Sequence, residues 1–407
     1  MTLDKVFTAD LNKGMYVSEL DRPWLGTPFL FQGFTISSDN ELSQLRETCE
    51  FVYIDTSKSE VLPTSQLRRV STPPAAKSQY KIRKTVEQEI TTAYREYHAC
   101  LQSLERLLGD VQRSQAIASD PIKHHIQQCT QSIIRNPSAL TWLSRIKHAD
   151  NYTAEHSLNV GILAISLGRH LGYEREDLET LGLCGILHDV GKMLIDPNVL
   201  NKAEKLTEDE FAQIRMHPVF GQRVLQKDSS LNNSVIEAAL SHHERIDGRG
   251  YPHSRGAAEL HRFTRIITIV DAFDAITSER CYSTAKSASE ALKILYENRN
   301  QQFDDELVIK FIECIGVYPP GSLVEMDSGE VGFVLNTTNH RLYPRVALLL
   351  DQNKRPMLQH IVDLSKQLNT AGNVGMRIKA ILPDGSYDLR LEDYTQSNIR
   401  IQGHSAA

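Results

Sequence analysis

Histidines and aspartates of a kind that bind metal ions recur through the middle of this sequence. Each lies on an apolar helical segment or at the end of one, where an unpaired ionisable group would be costly to bury. Imidazole and carboxylate groups together are typical ligands of transition metal ions. The sequence therefore predicts a metal site built from His156, His188, Asp189, His217, His242, His243 and Asp271.

The local sequence indicates how these groups turn inward. His188 and Asp189 come directly after the apolar segment 181–187, and Asp271 lies in the segment 266–276, which is apolar on most sides. A metal ion is a partner that makes such buried groups tolerable. Because a carboxylate has two oxygens, an aspartate can bridge two cations while a neutral imidazole binds one of them.

His242 and His243 leave two arrangements open. They follow the predicted helix 235–240, and neighbouring helical residues point about 100° apart. Either one histidine binds the ion and the other orients it, or the end of the helix lets both reach. A single histidine on an apolar helix is more often a core residue than a ligand, so the prediction depends on the whole set.

A count of charges favours two metal ions. Asp189 and Asp271 contribute −2 and neutral histidines contribute nothing, whereas two divalent ions contribute about +4. The excess of about +2 would attract a phosphodiester, as in two-metal hydrolysis. The ligand mixture suits iron or manganese best, is compatible with nickel or zinc, and suits magnesium or calcium less.

Bulk properties narrow the class of protein. The 407 residues carry a net charge of −6, whereas proteins that bind DNA duplexes are normally basic. Six cysteines are scattered without a C-x-x-C pair, so reduced thiols in a cytoplasmic protein are expected. No apolar run approaches the roughly 18 residues of a membrane span.

The pattern along the chain predicts a mostly α-helical protein with smaller β-containing parts at both ends. The predicted parts are a small α/β or β domain at 1–60, a linker at 61–79, a helical connector at 80–137, a helical domain at 138–320 and a β-rich region at 321–407. Strands are predicted at 29–34, 51–54, 331–335 and 346–350, and a helix at 41–48. Thr207 with Glu210 and Ser234 with Glu237 are predicted capping boxes.

Apolar residues spaced alternately by four and three form a seam between Val86 and Val111. Two interpretations stay open. The helix at 80–113 could form a homodimer or signalling contact through this seam. Alternatively, the seam packs on a neighbouring helix of the same chain, such as one at 121–135.

Two motifs carry a resemblance to a known family. Residues 188–192 (HDVGK) resemble the HD-x-G-K signature of the HD superfamily. Residues 242–252 (HHERIDGRGYP) match the HHE-x-x-DG-x-GYP signature of HD-GYP domains, which is long and specific. The resemblance covers about residues 138–320, and residues 1–60 are similar to a small domain of unknown role often found ahead of such domains.

The resemblance implies hydrolysis of cyclic di-GMP to linear pGpG, with further cleavage to GMP as a second step. It assigns the metal ligands to the same residues as above, with Asp189 as the bridge. Asp189 and Lys192 would be catalytic. Substrate contacts carry over onto Lys192, Tyr251, Asp274 and Arg280. A GGDEF-domain protein is a partner at the level of the family.

Two positions depart from the family pattern. Members with a third metal have a glutamate four residues before the first histidine, where this chain has Tyr152. A lysine common three residues after the matched arginine is replaced by Ser283. The first departure predicts two metals, and the second predicts weaker substrate binding or turnover. Two alternatives therefore stay open: a cyclic di-GMP or pGpG sensor with little turnover, and hydrolysis of a different nucleotide.

Overall fold

A computed structural model gives the architecture of two compact units, Met1–Lys77 and Ser78–Ala407. The structure describes residues 3–22, 24, 27, 29, 33–55, 58–59, 80–114, 117–146, 152–200, 202, 204–278, 285–338, 342–367 and 376–396. The predicted linker at 61–79 lies outside these residues, and so do residues 30–32 of the predicted strand 29–34.

The first unit is a small α/β domain. Four antiparallel strands pair in the order β1-β4-β2-β3, with bounds Leu3–Phe7 (β1), Tyr16–Leu20 (β2), Phe34–Thr35 (β3) and Phe51–Asp55 (β4). One helix, Asp39–Thr48 (α1), begins with a capping box of Ser38 and Glu41. Buried Val6, Val52 and Leu45 join sheet and helix in one core. The predicted helix 41–48 and strand 51–54 are confirmed.

The second unit is mainly helical, as the sequence predicts. Its helices are Val86–Ser114 (α2), Asp120–Arg135 (α3), Pro137–Leu143 (α4), Tyr152–Leu171 (α5), Arg175–Leu187 (α6), Pro197–Leu200 (α7), Glu208–Ile214 (α8), His217–Leu225 (α9), Asn233–Ser241 (α10), Arg262–Ile276 (α11), Ala288–Glu297 (α12), Asp305–Ile315 (α13) and Asp393–Gln396 (α14). A 3₁₀ turn, Val190–Leu194, follows α6.

Helix starts show one success and one error of the sequence analysis. The capping box of Thr207 and Glu210 is confirmed at the start of α8. The predicted box of Ser234 and Glu237 is wrong, because Asn232 is the N-cap of α10 and its side chain accepts from the backbone N–H of Ser234. Asparagine is as good an N-cap as serine, so the earlier residue begins the helix.

The seam along α2 is buried within the chain. Tyr97, Cys100, Leu104 and Val111 are at most 5% exposed and lie in the core of the helical unit. The helix packs on α3, α4, α5 and the turn after α6. The structure therefore uses this seam for packing inside the chain, and a homodimer would need other residues.

Five antiparallel strands follow the helices. They are Leu323–Met326 (β5), Val331–Asn336 (β6), Arg345–Leu350 (β7), Pro356–Asp363 (β8) and Ile378–Leu382 (β9), in the order β8-β7-β6-β5-β9. Phe333 of this sheet belongs to the core of the helices, and Arg345 pairs with Glu87 of α2 at 2.7 Å. The predicted β-rich end of the chain is confirmed.

From the sequence we expect neither a membrane-spanning helix nor disulfide bonds, and the described residues bear on both expectations. Among them, no helix is long and apolar enough to cross a membrane. The described cysteines, which exclude Cys281, are free thiols.

Helices α5 and α6 approach each other closely enough to touch through their backbones. A Cβ atom built on Gly185 would lie 2.5 Å from the Cα atom of Gly161, which is closer than real Cβ contacts allow. His156 precedes Gly161 by about one and a half turns, and His188 follows Gly185 by about one turn. The glycine contact therefore sets the separation between two of the predicted metal ligands.

We expect Gly185→Ala to destabilise the protein, since the added methyl group must push α5 and α6 apart. Overpacking of this kind costs about 1–3 kcal/mol, which a lower melting temperature of the helical circular dichroism signal would report. Gly109→Ala in α2 is the matched control, because its methyl group meets only the flexible end of Arg113. That control should stabilise by about 0.5–1 kcal/mol. Equal melting of the two variants would contradict the role of the contact.

Candidate metal centre

Helix ends and helix interiors converge on the predicted ligands. His156 lies within α5 and Asp271 within α11. His188 follows the last residue of α6, His217 is the first residue of α9 and His242 follows the last residue of α10. Helix ends leave backbone groups and side chains directed out of the helix, so several short helices can share one point.

The carboxylate of Asp189 lies at that shared point. Its Oδ1 is 3.2 Å from Nε2 of His217 and 3.6 Å from Nε2 of His242. Its Oδ2 is 3.2 Å from Nε2 of His188 and 3.6 Å from Nε2 of His156. The two oxygens thus divide the histidines into two sets, and Asp189 is 1% exposed.

The remaining two predicted ligands each join one set. The ligand atoms of His243 lie within 4.8 Å of those of Asp189, His217 and His242. Oδ1 of Asp271 is 3.1 Å from Nε2 of His156 on the other side. Since α10 ends at Ser241, both His242 and His243 reach the centre, which favours the arrangement in which both bind.

The inner histidines are oriented by bonds to their outer nitrogens. Nδ1 lies 2.6 Å from the carbonyl oxygen of Gly185 in His188, 2.8 Å from that of Ile214 in His217 and 3.0 Å from that of Ala239 in His242. A carbonyl oxygen can only accept, so each Nδ1 donates its proton. Each Nε2 is left with a lone pair toward Asp189, as in metal-binding histidines.

Two buried atoms at the centre also fit a metal. Within the described part of the chain, Nε2 of His188 and Oδ1 of Asp189 have no hydrogen-bond partner. Buried polar atoms without partners are rare and costly in native proteins. One cation at each set would satisfy both atoms, so the residues present fit divalent metal ions.

Ionised carboxylates are favoured at the centre. Burial alone would raise the pKa of Asp189, but the adjacent His188 and Lys192 hold it well below its usual range. The pKa of Asp271 is likewise lowered against burial, mainly by a hydrogen bond with His156. Carboxylates must be deprotonated to bind a metal, so both are ready to do so.

The histidines of the centre differ in the direction of their pKa shifts, and therefore in their protonation. Burial lowers the pKa of His242 to about 4 and lowers that of His243 well below its usual range, so both are neutral ligands near pH 7. Burial would also lower the pKa of His156, but hydrogen bonds with Asp271 and Asp274 outweigh it and raise this pKa to about 9. Metal binding at His156 therefore releases a proton.

Lys192 lies at the edge of the same cluster. Its Nζ is 2.5 Å from Oδ2 of Asp189, and its side chain is 21% exposed. The ammonium group therefore neutralises part of the carboxylate charge and can also reach the solvent side of the centre. Among the lysines and arginines that the structure describes, only Lys192 forms an ion pair with Asp189.

The loop that begins at His243 forms a wall of the site. The ring of Tyr251 stacks on that of His243, with centroids 4.7 Å apart and planes 24° apart. Buried Glu244 accepts from the backbone N–H groups of His253 at 2.7 Å and Arg255 at 3.0 Å. Gly250 is pressed against Glu244, since a Cβ there would lie 2.4 Å from its Cα atom. Glu244 thus holds the loop in place.

Comparison with known proteins shows the family of the chain. Over 382 residues the chain is 34% identical to a cyclic di-GMP phosphodiesterase of Pseudomonas aeruginosa, and the match spans 92% of each protein. The chain belongs to the HD-GYP family. Residues 136–307 match the family described as HD domain, and residues 3–122 match a domain of unknown function (DUF3391).

Other relatives share parts of the chain. A 3′3′-cGAMP-specific phosphodiesterase of Vibrio cholerae is 33% identical over 168 residues, which are 41% of this chain and 36% of that protein. A solved HD-GYP-type protein of Bdellovibrio bacteriovorus covers 77% of this chain and 99% of its own, with 15% identity and a TM-score of 0.47.

Not every residue predicted at the HD-GYP site has the position of a substrate contact. Oδ2 of Asp274 lies 2.8 Å from Nδ1 of His156, and the residue is 3% exposed. It therefore orients a ligand from behind. The sequence signal for this orienting role is the position of Asp274 three residues after Asp271, which places both on the same face of α11. Arg280, Ser283 and the side chain of Tyr152 lie outside the described residues, so the predictions there stay predictions.

We expect Asp274→Ala to weaken metal binding, because His156 loses the acceptor that fixes its ring. Loss of such an orienting group typically lowers metal affinity about 10- to 100-fold. Competition for Mn²⁺ with a chelator would measure it. Asp274→Asn keeps an oxygen acceptor and should recover part of the affinity. If the alanine variant binds Mn²⁺ as tightly as the unaltered protein, the orienting role is wrong.

Proposed function

We propose that this protein is a metal-dependent phosphodiesterase that hydrolyses cyclic di-GMP to linear pGpG, with GMP as the product of a second cleavage. One observation carries the proposal: the two oxygens of Asp189 face two separate histidine sets. The full-length similarity to a cyclic di-GMP phosphodiesterase supports the choice of substrate.

The proposed cofactors are two divalent ions, one at each set. His217, His242 and His243 would hold one, and His156, His188 and Asp271 the other, with Asp189 between them. Nitrogen-rich ligands with carboxylates favour iron or manganese, with nickel or zinc as compatible substitutes. Bound ions of this kind supply Lewis acidity to a phosphodiester and lower the pKa of water.

The residues of the chain do the positioning. Asp189 fixes the distance between the two sets, and the backbone carbonyls behind the histidines fix their rings. The ammonium group of Lys192, a point charge with three donors, can neutralise a phosphate or leaving oxygen beside Asp189. Tyr251 bounds the space in which the substrate lies and shields one side of His243.

The proposed activity also implies a ligand and a cellular location for the protein. Cyclic di-GMP is the expected ligand, and the protein would act in the bacterial cytoplasm, where that messenger signals. A GGDEF-domain partner stays a prediction from the family resemblance. The described helix 86–114 has its apolar seam buried, so a homodimer would use another surface.

We expect Asp189→Ala to abolish hydrolysis of cyclic di-GMP, since one residue contributes to both metal sets. A loss of about 10³-fold or more in kcat is expected from the removal of a metal bridge, and separation of pGpG and GMP from substrate would measure it. Asp209→Ala, at an exposed position in α8, is the control and should keep full activity. Unchanged turnover in the Asp189 variant would rule out the assignment.

We further expect two metal ions per chain in protein purified without oxygen. Chelation should remove both the ions and the activity, and Fe²⁺ or Mn²⁺ should restore the activity. Elemental analysis would measure the identity and number of the bound ions. Turnover of cyclic di-GMP, 3′3′-cGAMP and cyclic di-AMP by the same protein would measure the substrate preference. One ion per chain, or preference for another dinucleotide, would correct the respective half of the proposal.

A further inference from the structure

The cavity beside the metal centre contains a side-chain amide. This cavity has a volume of about 280 Å³, and the predicted ligands His242, His243 and Asp271 line it together with Gln302. Gln302 lies in the loop between α12 and α13, well beyond the motif at 242–252. Among the described residues that line the cavity, it is the only one with a carboxamide, an uncharged group that both donates and accepts hydrogen bonds.

The backbone of Gln302 is tied to the loop that follows His243. The carbonyl oxygen of Gln302 accepts from the N–H of Ile246 at 3.4 Å, and that of Gln301 accepts from the N–H of Asp247 at 3.0 Å. Because Ile246 is only three residues after His243, these two bonds hold the amide at a fixed place relative to a predicted metal ligand.

Arg245 orients the carboxamide of Gln302. Nη1 of Arg245 lies 3.5 Å from Oε1 of Gln302, and Asp247 holds the same guanidinium group through Nε at 3.0 Å and Nη2 at 2.8 Å. A guanidinium group only donates, so the amide oxygen faces it rather than the amide nitrogen. Among the described residues, none accepts a hydrogen bond from Nε2 of Gln302. Its two N–H donors are therefore available to a ligand in the cavity.

The bases of a cyclic dinucleotide differ in how they would meet these donors. Guanine has two neighbouring acceptors, O6 and N7, whereas adenine has the donor N6–H₂ beside N7. An amide whose oxygen is engaged by Arg245 offers only donors. These donors match the acceptors of guanine, but they would face another donor at N6 of adenine. The orientation of Gln302 therefore favours a guanine base.

We propose that Gln302 is a specificity-determining residue, which donates from Nε2 to a guanine base of the cyclic dinucleotide and disfavours adenine at the same position. This proposal rests on the proposed function, because it takes the ligand of the cavity to be a cyclic dinucleotide.

Replacement of Gln302 by leucine tests the contact, since leucine has a similar size and no N–H donor. Gln302→Leu should raise KM for cyclic di-GMP roughly tenfold with little change in kcat, because one hydrogen bond to the base is lost. The inhibition constant of cyclic di-AMP, measured as a competitor in the same assay, should stay nearly unchanged. Gln301→Leu is the matched control, because Gln301 is the exposed neighbour in the same loop and does not line the cavity.

A glutamate at the same position provides a second test. The carboxylate of Gln302→Glu would pair with Arg245 and offer only acceptors, which match N6–H₂ of adenine and oppose O6 and N7 of guanine. Its added charge acts alike on both anionic dinucleotides, so the ratio of the two affinities reports the base alone. We expect that ratio to move toward cyclic di-AMP by roughly tenfold or more.

Two results would overturn the role of Gln302. If both variants keep the ratio of affinities that Gln301→Leu shows, Gln302 does not read the base. If Gln302→Leu weakens both dinucleotides equally, the residue shapes the cavity instead.

Binding and turnover together distinguish the two proposals. If the unaltered protein binds cyclic di-GMP without hydrolysing it, the proposed function fails, while calorimetric Kd values of the same variants still test Gln302. If hydrolysis proceeds but the ratio of affinities does not change in either variant, the function stands and the role of Gln302 is wrong.

Discussion

The structure around residues 156–271 depends on one buried carboxylate. Asp189 is almost fully buried, yet its oxygens lie among four imidazole nitrogens at 3.2–3.6 Å. Such a charge is unfavourable in a protein interior unless nearby cations compensate it. Lys192 supplies one cation and a protonated His156 another, but the inner nitrogen of His188 still lacks a hydrogen bond among the described residues. Divalent ions would complete the balance, and the surrounding helices hold the predicted ligands close enough together to bind them.

The precision of that arrangement comes from backbone rather than from side chains. The outer nitrogens of His188, His217 and His242 donate to carbonyl oxygens three residues earlier in the chain, so the same turn that ends or begins a helix also fixes each ring. Backbone contact between Gly161 and Gly185 sets the spacing of α5 and α6. Because these constraints are local, small helices suffice to build the site.

Sequence reasoning could reach the ligands because their chemistry left few alternatives. A histidine–aspartate pair at the end of an apolar helix needs a partner, and the motif at 242–252 is long enough to identify a family. Positions behind the ligands were harder, since the sequence predicts a substrate contact at Asp274, whereas the structure shows a contact of 2.8 Å with His156. The Ser234 cap failed for a similar reason: Asn232 offers the same chemistry two residues earlier.

The seam of α2 shows where periodicity stops being informative. A spacing of four and three buries one helix face, but it does not say whether the partner is another chain or the same one. Here Tyr97 of the seam donates to Oδ1 of Asn159 at 3.1 Å, and Asn159 is three residues after His156 on α5. The helix also packs on the turn that follows Asp189. Helix α2 therefore packs behind elements that carry or adjoin the predicted metal ligands, although sequence similarity groups its residues with the domain at 3–122. The boundary expected at 138 divides a single hydrophobic core, because packing, unlike a motif, joins residues far apart in the sequence.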